Sequence, residues 1–352
     1  MMAASFLRPA VAAVALAGVL ALQPARAVAQ QAAEASPQEV GFQGFLQLLA
    51  ARARGAGVRE ETIQQTIAGL TYNPRVIALD HAQPGGPPDT AAPPFEPYRL
   101  AHVDSARIGR GRAIYTQEAA RAAGLEARYG VPLQVVLAIW GAETDYGAAQ
   151  GDFDLARSLA TLAYEGRRRE LFAGEFVNLL KMIDQGVPRS RLMGSWAGAF
   201  GNPQFLPSTF LRLAQDGDGD GVRDIWTNRA DTLASIANFF RDAGWRAGQP
   251  WGVRAQVPDG LNRAGLATRL AAPVCPRVHA RHSRWLSIAE WRVLGVQPQG
   301  PIGDDVQASL FEPDGPGKPA YLLTGNYRVI LSYNCSNFYA LSVGLLADEI
   351  AR

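Results

Sequence analysis

The sequence predicts a mainly α-helical protein with a small β element late in the chain, an α+β arrangement. Three observations carry this. Apolar residues recur at helical spacing over several long stretches, as in Leu233, Ile236, Ala237 and Phe240. Those stretches end at glycines such as Gly186 and Gly244, which can close a helix. The last hundred residues then turn to prolines, glycines and short β-like runs. At 352 residues and 48% apolar composition, the chain can bury a substantial core in one large domain or two smaller ones.

The N-terminus differs in kind from the rest. Arg8 precedes the short apolar stretch "PAVAAVALAGVLAL", and "ARA" (25–27) and "AVA" (27–29) offer small-x-small cleavage sites. This reads as a secretory signal peptide over 1–27, with cleavage at 29 as a variant. The apolar run falls short of the roughly 20 residues that a membrane span requires. Its removal takes away Arg8 and Arg26 and no acid, leaving 32 basic residues against 32 acidic ones. A neutral chain carries no nucleic-acid footprint.

Residues 28–40 are rich in Ala, Gln and Glu and read as a frayed, disordered lead-in to one domain over 41–352. Helical patterns follow in "FQGFLQLLAARARGAG" and "REETIQQTIAGL". "QPGGPPDTAAPPFEP" (83–97) is a Pro/Gly-rich loop. A helical core over 98–250 comes next. It begins with "ARIGRGRAIYTQEAARAAGLEARYG", read as one long amphipathic helix, and includes "RRELFAGEFVNLLKMIDQG" and "ADTLASIANFFRDAG". The α/β part over 251–352 holds "PAYLLTGNYRVILSYN", which reads as a β-hairpin turning near Gly325–Asn326. "YALSVGLLADEIA" closes the chain as a helix.

The most informative stretch is "VPLQVVLAIWGAETDYG". Pro132 suits a first helical turn, where its missing N–H does little harm. In a helix over 132–144, Val136, Ile139, Trp140 and Glu143 share one face. Glu143 then projects on the apolar side. Desolvation raises a carboxyl pKa, and an acid that keeps its proton near neutral pH can protonate a leaving oxygen. The alternatives are a solvated glutamate at a helix end, the usual case, or a buried one paired with an arginine.

"MGSWAGAFGNPQFLPSTF" (193–210) alternates small residues with aromatics, interrupted by Asn202, Gln204 and Ser208. Close-approaching backbone and flat rings suit a saccharide groove; a tightly packed Gly/Ala-rich turn would have the same composition. "DGDGDGVRDIW" places Asp216, Asp218 and Asp220 at positions 1, 3 and 5 of an EF-hand-like loop, Gly221 at 6, the Val222 carbonyl at 7 and Asp224 at 9. Thr227 stands at position 12 where a glutamate is usual, and Asp231 could close the shell. A single loop of this kind points to structural calcium. His279 and His282 form an H-x-x-H beside Cys275 without a complete zinc ligand set, so surface histidines are expected. Cys275 and Cys335 either form a disulfide or remain two buried thiols.

Taken together, these stretches resemble the lytic murein transglycosylase B family from about Phe42 to the C-terminus. The motifs that carry the likeness are "AIWGAETDYG", "RRRELF", "GSWAGAFGNPQFLPS", "DGDGDG" with "IW" after it, "IANFF…GW" and "NYRVILSYNCSNFYALSVGLLADEI". The resemblance implies a lysozyme-like helical catalytic domain in an exported, periplasmic enzyme. It would cleave the β-1,4 bond between N-acetylmuramic acid and N-acetylglucosamine of peptidoglycan and leave a 1,6-anhydro ring. It implies Glu143 as the acid and then the base. It implies Arg167 and Arg168 as contacts to substrate carboxylates or peptide. Ser195, Gln204 and Phe205 match groove positions, Tyr333, Asn334 and Tyr339 match the pattern that closes the cleft, and Tyr98 is a further match. The calcium loop would comprise Asp216, Asp218, Asp220, Val222 and Asp231. Ser332 departs from the family, standing where an arginine is common, and one extra residue precedes Asp231.

The residues themselves agree with such chemistry. Ordinary glycosidases use two carboxylates about 5–9.5 Å apart. Only one is convincingly placed on an apolar face here, which suffices if the substrate supplies its own nucleophile. A hydrolytic muramidase on the same scaffold, and a non-catalytic calcium-stabilised wall-binding protein, are the competing readings. No organic cofactor or nucleic-acid partner is expected.

Overall fold

The computed structural model describes residues 36–83, 93–268 and 275–352. The expected signal peptide (1–27) lies outside them, as do most of the 28–40 lead-in and most of the 83–97 loop. Residues 37–352 form one compact unit.

The N-terminal helices are α1 (Pro37–Gly55), α2 (Glu60–Ile67) and α3 (Pro74–His81). Helix α1 starts at Pro37, so the last residues of the expected frayed segment are helical. After the loop come α4 (Phe95–His102), α5 (Ser105–Gln117), α6 (Ala119–Tyr129) and α7 (Leu133–Thr144). The loop therefore ends three residues earlier than its composition implied, at 94 rather than 97. Asp314 accepts from the Phe95 N–H at 2.6 Å and satisfies one of the donors left open at the start of α4. The long helix expected before Gly130 is two helices, α5 and α6, which part at Glu118. The buried Glu118 carboxylate is held at the break by Arg229 and Arg121, at 3.1 and 3.4 Å.

Strand β1 (Phe153–Asp154) precedes α8 (Leu155–Glu165) and α9 (Arg169–Asp184). Strand β2 (Met193–Gly194) pairs antiparallel with β1, and α10 (Pro207–Leu213) and α11 (Arg229–Asp242) complete the helical part. The C-terminal part contains β3 (Gly252–Gln256), α12 (Pro276–His279), β4 (Trp285–Ser287), α13 (Ile288–Val293), β5 (Gln297–Pro298), β6 (Gln307–Phe311) and β7 (Ala320–Leu323). Helices α14 (Gly325–Tyr333) and α15 (Asn337–Ile350) end the chain.

The late β element is larger than expected: the first half of the expected hairpin is strand β7, but the second half is helical and the other strands lie upstream. It is a five-stranded sheet of order β4-β6-β7-β3-β5 with antiparallel pairings. A hairpin does occur, but it joins β6 to β7. Gly325–Asn326 is not its turn: the Thr324 hydroxyl accepts from the Asn326 N–H at 3.1 Å and caps α14, so "NYRVILSY" is helical. Val329, Ile330 and Leu331 bury in the helical core there, which overrides their strand preference.

Three apolar clusters result. One gathers α7, α11, α14 and α15. A second gathers α1, α2, α8, α9 and α10 around Phe42, Phe176, Phe200 and Phe210. A third lies on the sheet around Trp291. Tyr333 packs against both helical clusters and marks the seam between them. Among the described residues no single helix is long and apolar enough to cross a membrane.

Candidate active site

Helix α7 is apolar nearly all round: Val136, Leu137, Ala138 and Ile139 are fully buried and Trp140 nearly so. It stops where Asp145 takes a left-handed conformation (φ 51°) and Tyr146 follows (φ 60°). Asp145 is held there by Arg110 at 2.5 Å, with Arg107 at 3.7 Å. Tyr146 folds back over the helix and donates to the Arg107 carbonyl at 3.1 Å. Gly141 permits this, because a Cβ at that position would lie 2.6 Å from the Tyr146 ring. Behind the turn, the Thr144 hydroxyl donates to the Asn202 carbonyl. The Asn202 amide in turn donates to Trp226 and Thr232. Glu143 thus leaves a rigid helix end with its neighbours pinned on both sides.

The carboxyl of Glu143 keeps an accessible edge but is otherwise enclosed by protein. Its hydrogen-bond partner is the Tyr339 hydroxyl, which donates to Oε1 at 2.5 Å. No arginine or lysine pairs with it among the described residues, so the expected alternative of an ion pair does not arise. Burial drives its pKa from 4.5 to about 7, with the Tyr339 bond pulling the other way. Other buried carboxylates are committed: Glu175 accepts from the Ser208 N–H and hydroxyl, and Asp80 is paired with arginines.

Tyr339, Tyr333 and Tyr98 converge on this carboxyl. Burial raises the pKa of each, and Glu143 raises it further, so all three face the site as neutral hydroxyls. Tyr98 stacks on His102 at 3.8 Å and meets Phe338. Tyr333 donates to the Pro203 carbonyl at 2.5 Å and packs on Phe205 and Phe239, tying α14 to the 193–210 stretch. In that stretch, the Ser195 hydroxyl accepts from the Ala199 N–H. Gln204 has φ 51°, and its amide donates to the carbonyls of Gln150 and Gly201. Phe205 is buried rather than offering an open face. Asn334 is exposed. Gly151 lets the strand-like segments close up, because a Cβ there would lie 2.4 Å from Gly194 backbone.

Arg167 and Arg168 both pair with the buried Asp80, Arg168 at 2.6 Å, at the corner of α3, α8 and α9. Their guanidiniums stay partly exposed. The role of Asp80 escaped the sequence reading, since nothing local marks a partner 88 positions away. The same holds for the brace under α15. Tyr327 donates to the Asn337 carbonyl, and Asn337 bonds to His282 at 2.7 Å and to the Val278 carbonyl. His282 is therefore not a surface histidine. It is 3% exposed, and burial lowers its pKa to about 4, so it is neutral. Cys275 is no zinc ligand but is bonded to Cys335, with 5.7 Å between Cα atoms.

In the acidic loop, carboxylate oxygens of Asp216, Asp218 and Asp220 lie within 4.8 Å of one another, and none of the three forms a salt bridge among the described residues. Asp216 accepts from the N–H groups of Gly219, Asp220 and Gly221, and Gly221 has φ 88°. Asp231, fully buried, accepts from the Gly217 N–H at 2.7 Å and the Asp224 N–H at 2.6 Å, bracing the loop's two ends. Asp224 is engaged by Arg191 and Thr227, and Val222 is exposed. Converging hard oxygens without a cationic partner fit a calcium ion.

A lone desolvated glutamate at a helix end, ringed by tyrosines beside a Gly/aromatic stretch, is the arrangement a single-acid catalytic site requires. Residues 41–348 match the transglycosylase SLT domain family, and the chain belongs to that family. Among its relatives is membrane-bound lytic murein transglycosylase B of Escherichia coli strain K12, 35% identical over 228 residues, which are 63% of this chain and 58% of that protein's length. SltB3 from Pseudomonas aeruginosa, in a crystal structure with NAG-anhNAM-pentapeptide, is 39% identical at a TM-score of 0.77, over 88% of this chain and 79% of its own. The Escherichia coli lytic transglycosylase Slt35, in complex with calcium, is 27% identical at a TM-score of 0.69, over 89% and 93%.

Proposed function

We propose that this protein is a lytic murein transglycosylase acting on peptidoglycan glycan strands. The observation that carries the reading is the enclosure of Glu143, which holds its proton to about pH 7 with a single tyrosine as partner. Tyr339 donates to Oε1, so Oε2 is the oxygen that carries the transferable proton. It protonates the bridging oxygen between N-acetylmuramic acid and N-acetylglucosamine, and the C1–O bond breaks with oxocarbenium character. The muramic C6 hydroxyl then attacks C1, and the Glu143 carboxylate takes the proton that leaves it. A 1,6-anhydro ring forms, the glutamate is regenerated and no water is consumed. Among the described residues no second carboxylate acts on Glu143, which favours this one-acid scheme over a two-acid glycosidase. The anhydro sugar held by SltB3 is the type of product the scheme yields.

Ser195, Gln204, Asn334, Tyr98, Tyr333 and the 193–210 backbone line the glycan groove in this reading, with Phe205 supporting its floor. Arg167 and Arg168 meet substrate carboxylates at its far end with the guanidinium edges left exposed. Calcium held by Asp216, Asp218, Asp220 and the Val222 carbonyl, with Asp231 behind them, would fasten the loop that leads into α11. The structural relative Slt35 is in complex with calcium, which supports a calcium ion in this chain. The enzyme works in the periplasm, delivered by the Arg8-led apolar segment at 1–27.

Mass spectrometry of soluble products from isolated cell walls tests the reading. Anhydromuropeptides are expected. Products heavier by one water would establish a hydrolytic muramidase instead, and sedimentation with the wall without soluble product would establish a binding protein.

A further inference from the structure

A cavity of about 800 Å³ lies on the sheet side of α4, away from the Glu143 carboxyl. Its floor is Phe95 and Tyr321, both almost fully buried. The Tyr321 ring is buried, but its hydroxyl opens to the cavity and makes no hydrogen bond to any described residue, which leaves it available to a ligand. Two carboxylates at the wall are already engaged. Glu96 is held by both arms of the Arg99 guanidinium, at 2.7 and 2.8 Å, and Asp314 accepts from the Phe95 N–H. Two cations lack an ion-pair partner among the described residues. Arg254 lies over the Tyr321 ring at 5.8 Å, and neither it nor Lys318 forms a salt bridge among the described residues. Both also line an adjoining cavity of about 280 Å³, which extends the first along β3.

This pocket is continuous with the catalytic residues through α4. Phe95 contacts Tyr98 and Phe338, and Phe338 is the neighbour of Tyr339, the donor to Glu143. One face of a single short helix therefore serves the carboxyl while the other lines the cavity. We propose that this pocket binds the peptide stem of peptidoglycan, taking its free carboxylates on Arg254 and Lys318 and its backbone on the Tyr321 hydroxyl. The inference rests on the peptidoglycan reading above. An apolar ligand would leave two unpaired cations and the tyrosine hydroxyl unmatched. A glycan ring carries no charge to meet them. An acidic oligopeptide uses all three, and in the substrate it is tethered to the sugar that Glu143 attacks.

The test compares the wild-type protein with the double variant Arg254→Ala, Lys318→Ala and with Tyr321→Phe. Each is assayed on whole peptidoglycan and on glycan strands stripped of peptide by an amidase. The double variant should raise KM about tenfold on whole peptidoglycan, with kcat within twofold, and match wild type on stripped strands. Tyr321→Phe should raise KM about threefold on whole peptidoglycan. Equal losses on both substrates, or none on either, would overturn the proposal. A second measurement does not depend on turnover: calorimetric binding of a synthetic stem tetrapeptide with free carboxylates, against its fully amidated form, to wild type and double variant. Binding of the acidic form to wild type alone supports the pocket even if no glycan is cleaved. Equal binding of both peptides, or of the acidic form to both proteins, removes it even if glycan cleavage is established.

Discussion

The Tyr339 hydroxyl donates to Glu143 Oε1 at 2.5 Å across 196 positions of sequence, joining the last helix to the end of the central apolar one. This bond and the apolar enclosure act on Glu143 in opposite directions. Enclosure disfavours the carboxylate, whereas a donor to the carboxylate favours it. Enclosure is the larger effect, and the balance falls near pH 7.

Glu143→Gln should abolish product release while making the protein more stable in alkali. The folded pKa, about 7, exceeds the usual 4.5, so between these values the folded state holds the proton more tightly. Stability contributed by this group is therefore present below 4.5 and lost as pH rises through 7. The loss is bounded at roughly 3 kcal/mol and is smaller for a carboxyl with an open edge. Urea titrations at pH 5 and pH 8 should show the variant gaining on wild type by about 1–2 kcal/mol at the higher pH only. A gain of the same size at both would show that Glu143 is ionised throughout.

Tyr339→Phe removes the one hydrogen bond that holds Glu143 toward its ionised form. The pH–rate profile should shift its alkaline limb upward by about one unit, since hydrogen bonds to charged groups contribute roughly 1.5–3 kcal/mol. Turnover at pH 7 should fall about tenfold as the carboxyl loses its orientation. An unshifted limb with normal turnover would show the bond to be incidental.

Removal of calcium should loosen the loop between α10 and α11. A chelator is expected to lower Tm by about 5 °C, calcium to restore it, and magnesium to restore less, because the loop offers oxygen ligands without an octahedral cage. Asp218→Asn with Asp220→Asn should abolish the calcium response in the same thermal scan. Identical Tm values with and without chelator would contradict the assignment.

The Cys275–Cys335 bond ties the segment before α12 to the turn between the helices that carry Tyr333 and Tyr339. Cys335→Ala should cost about 3 kcal/mol in urea unfolding under oxidising conditions, the usual scale for a native bridge. A reductant should destabilise wild type by a similar amount and leave the variant unaffected.

What was legible in the sequence was local. Helix α7 could be read to within a residue because Pro132 opens an apolar run and Glu143 falls on the face of Val136 and Ile139. The EF-hand spacing singles out Asp216, Asp218 and Asp220, whose carboxylate oxygens do lie within 4.8 Å of one another. Misreadings occurred where tertiary contacts decide. Gly325–Asn326 has turn chemistry, yet the Thr324 cap and the burial of Ile330 make it a helix start. His282 looked like a surface residue because its partner, Asn337, lies 55 positions on. The pairing of Arg167 and Arg168 with Asp80, and of Tyr339 with Glu143, leaves no periodic trace. The family likeness pointed to Tyr339, but nothing in the spacing of "YNCSNFY" says which carboxyl it meets.

The most direct test is the titration of Glu143 itself. Carbon-13 NMR of protein labelled at the glutamate side-chain carboxyl, with Glu143→Gln to assign the resonance, reads its ionisation from pH 3 to 9. A midpoint near 7 in wild type, moving upward in Tyr339→Phe, is the expected result. A midpoint near 4.5, as for a solvated glutamate, would contradict the account.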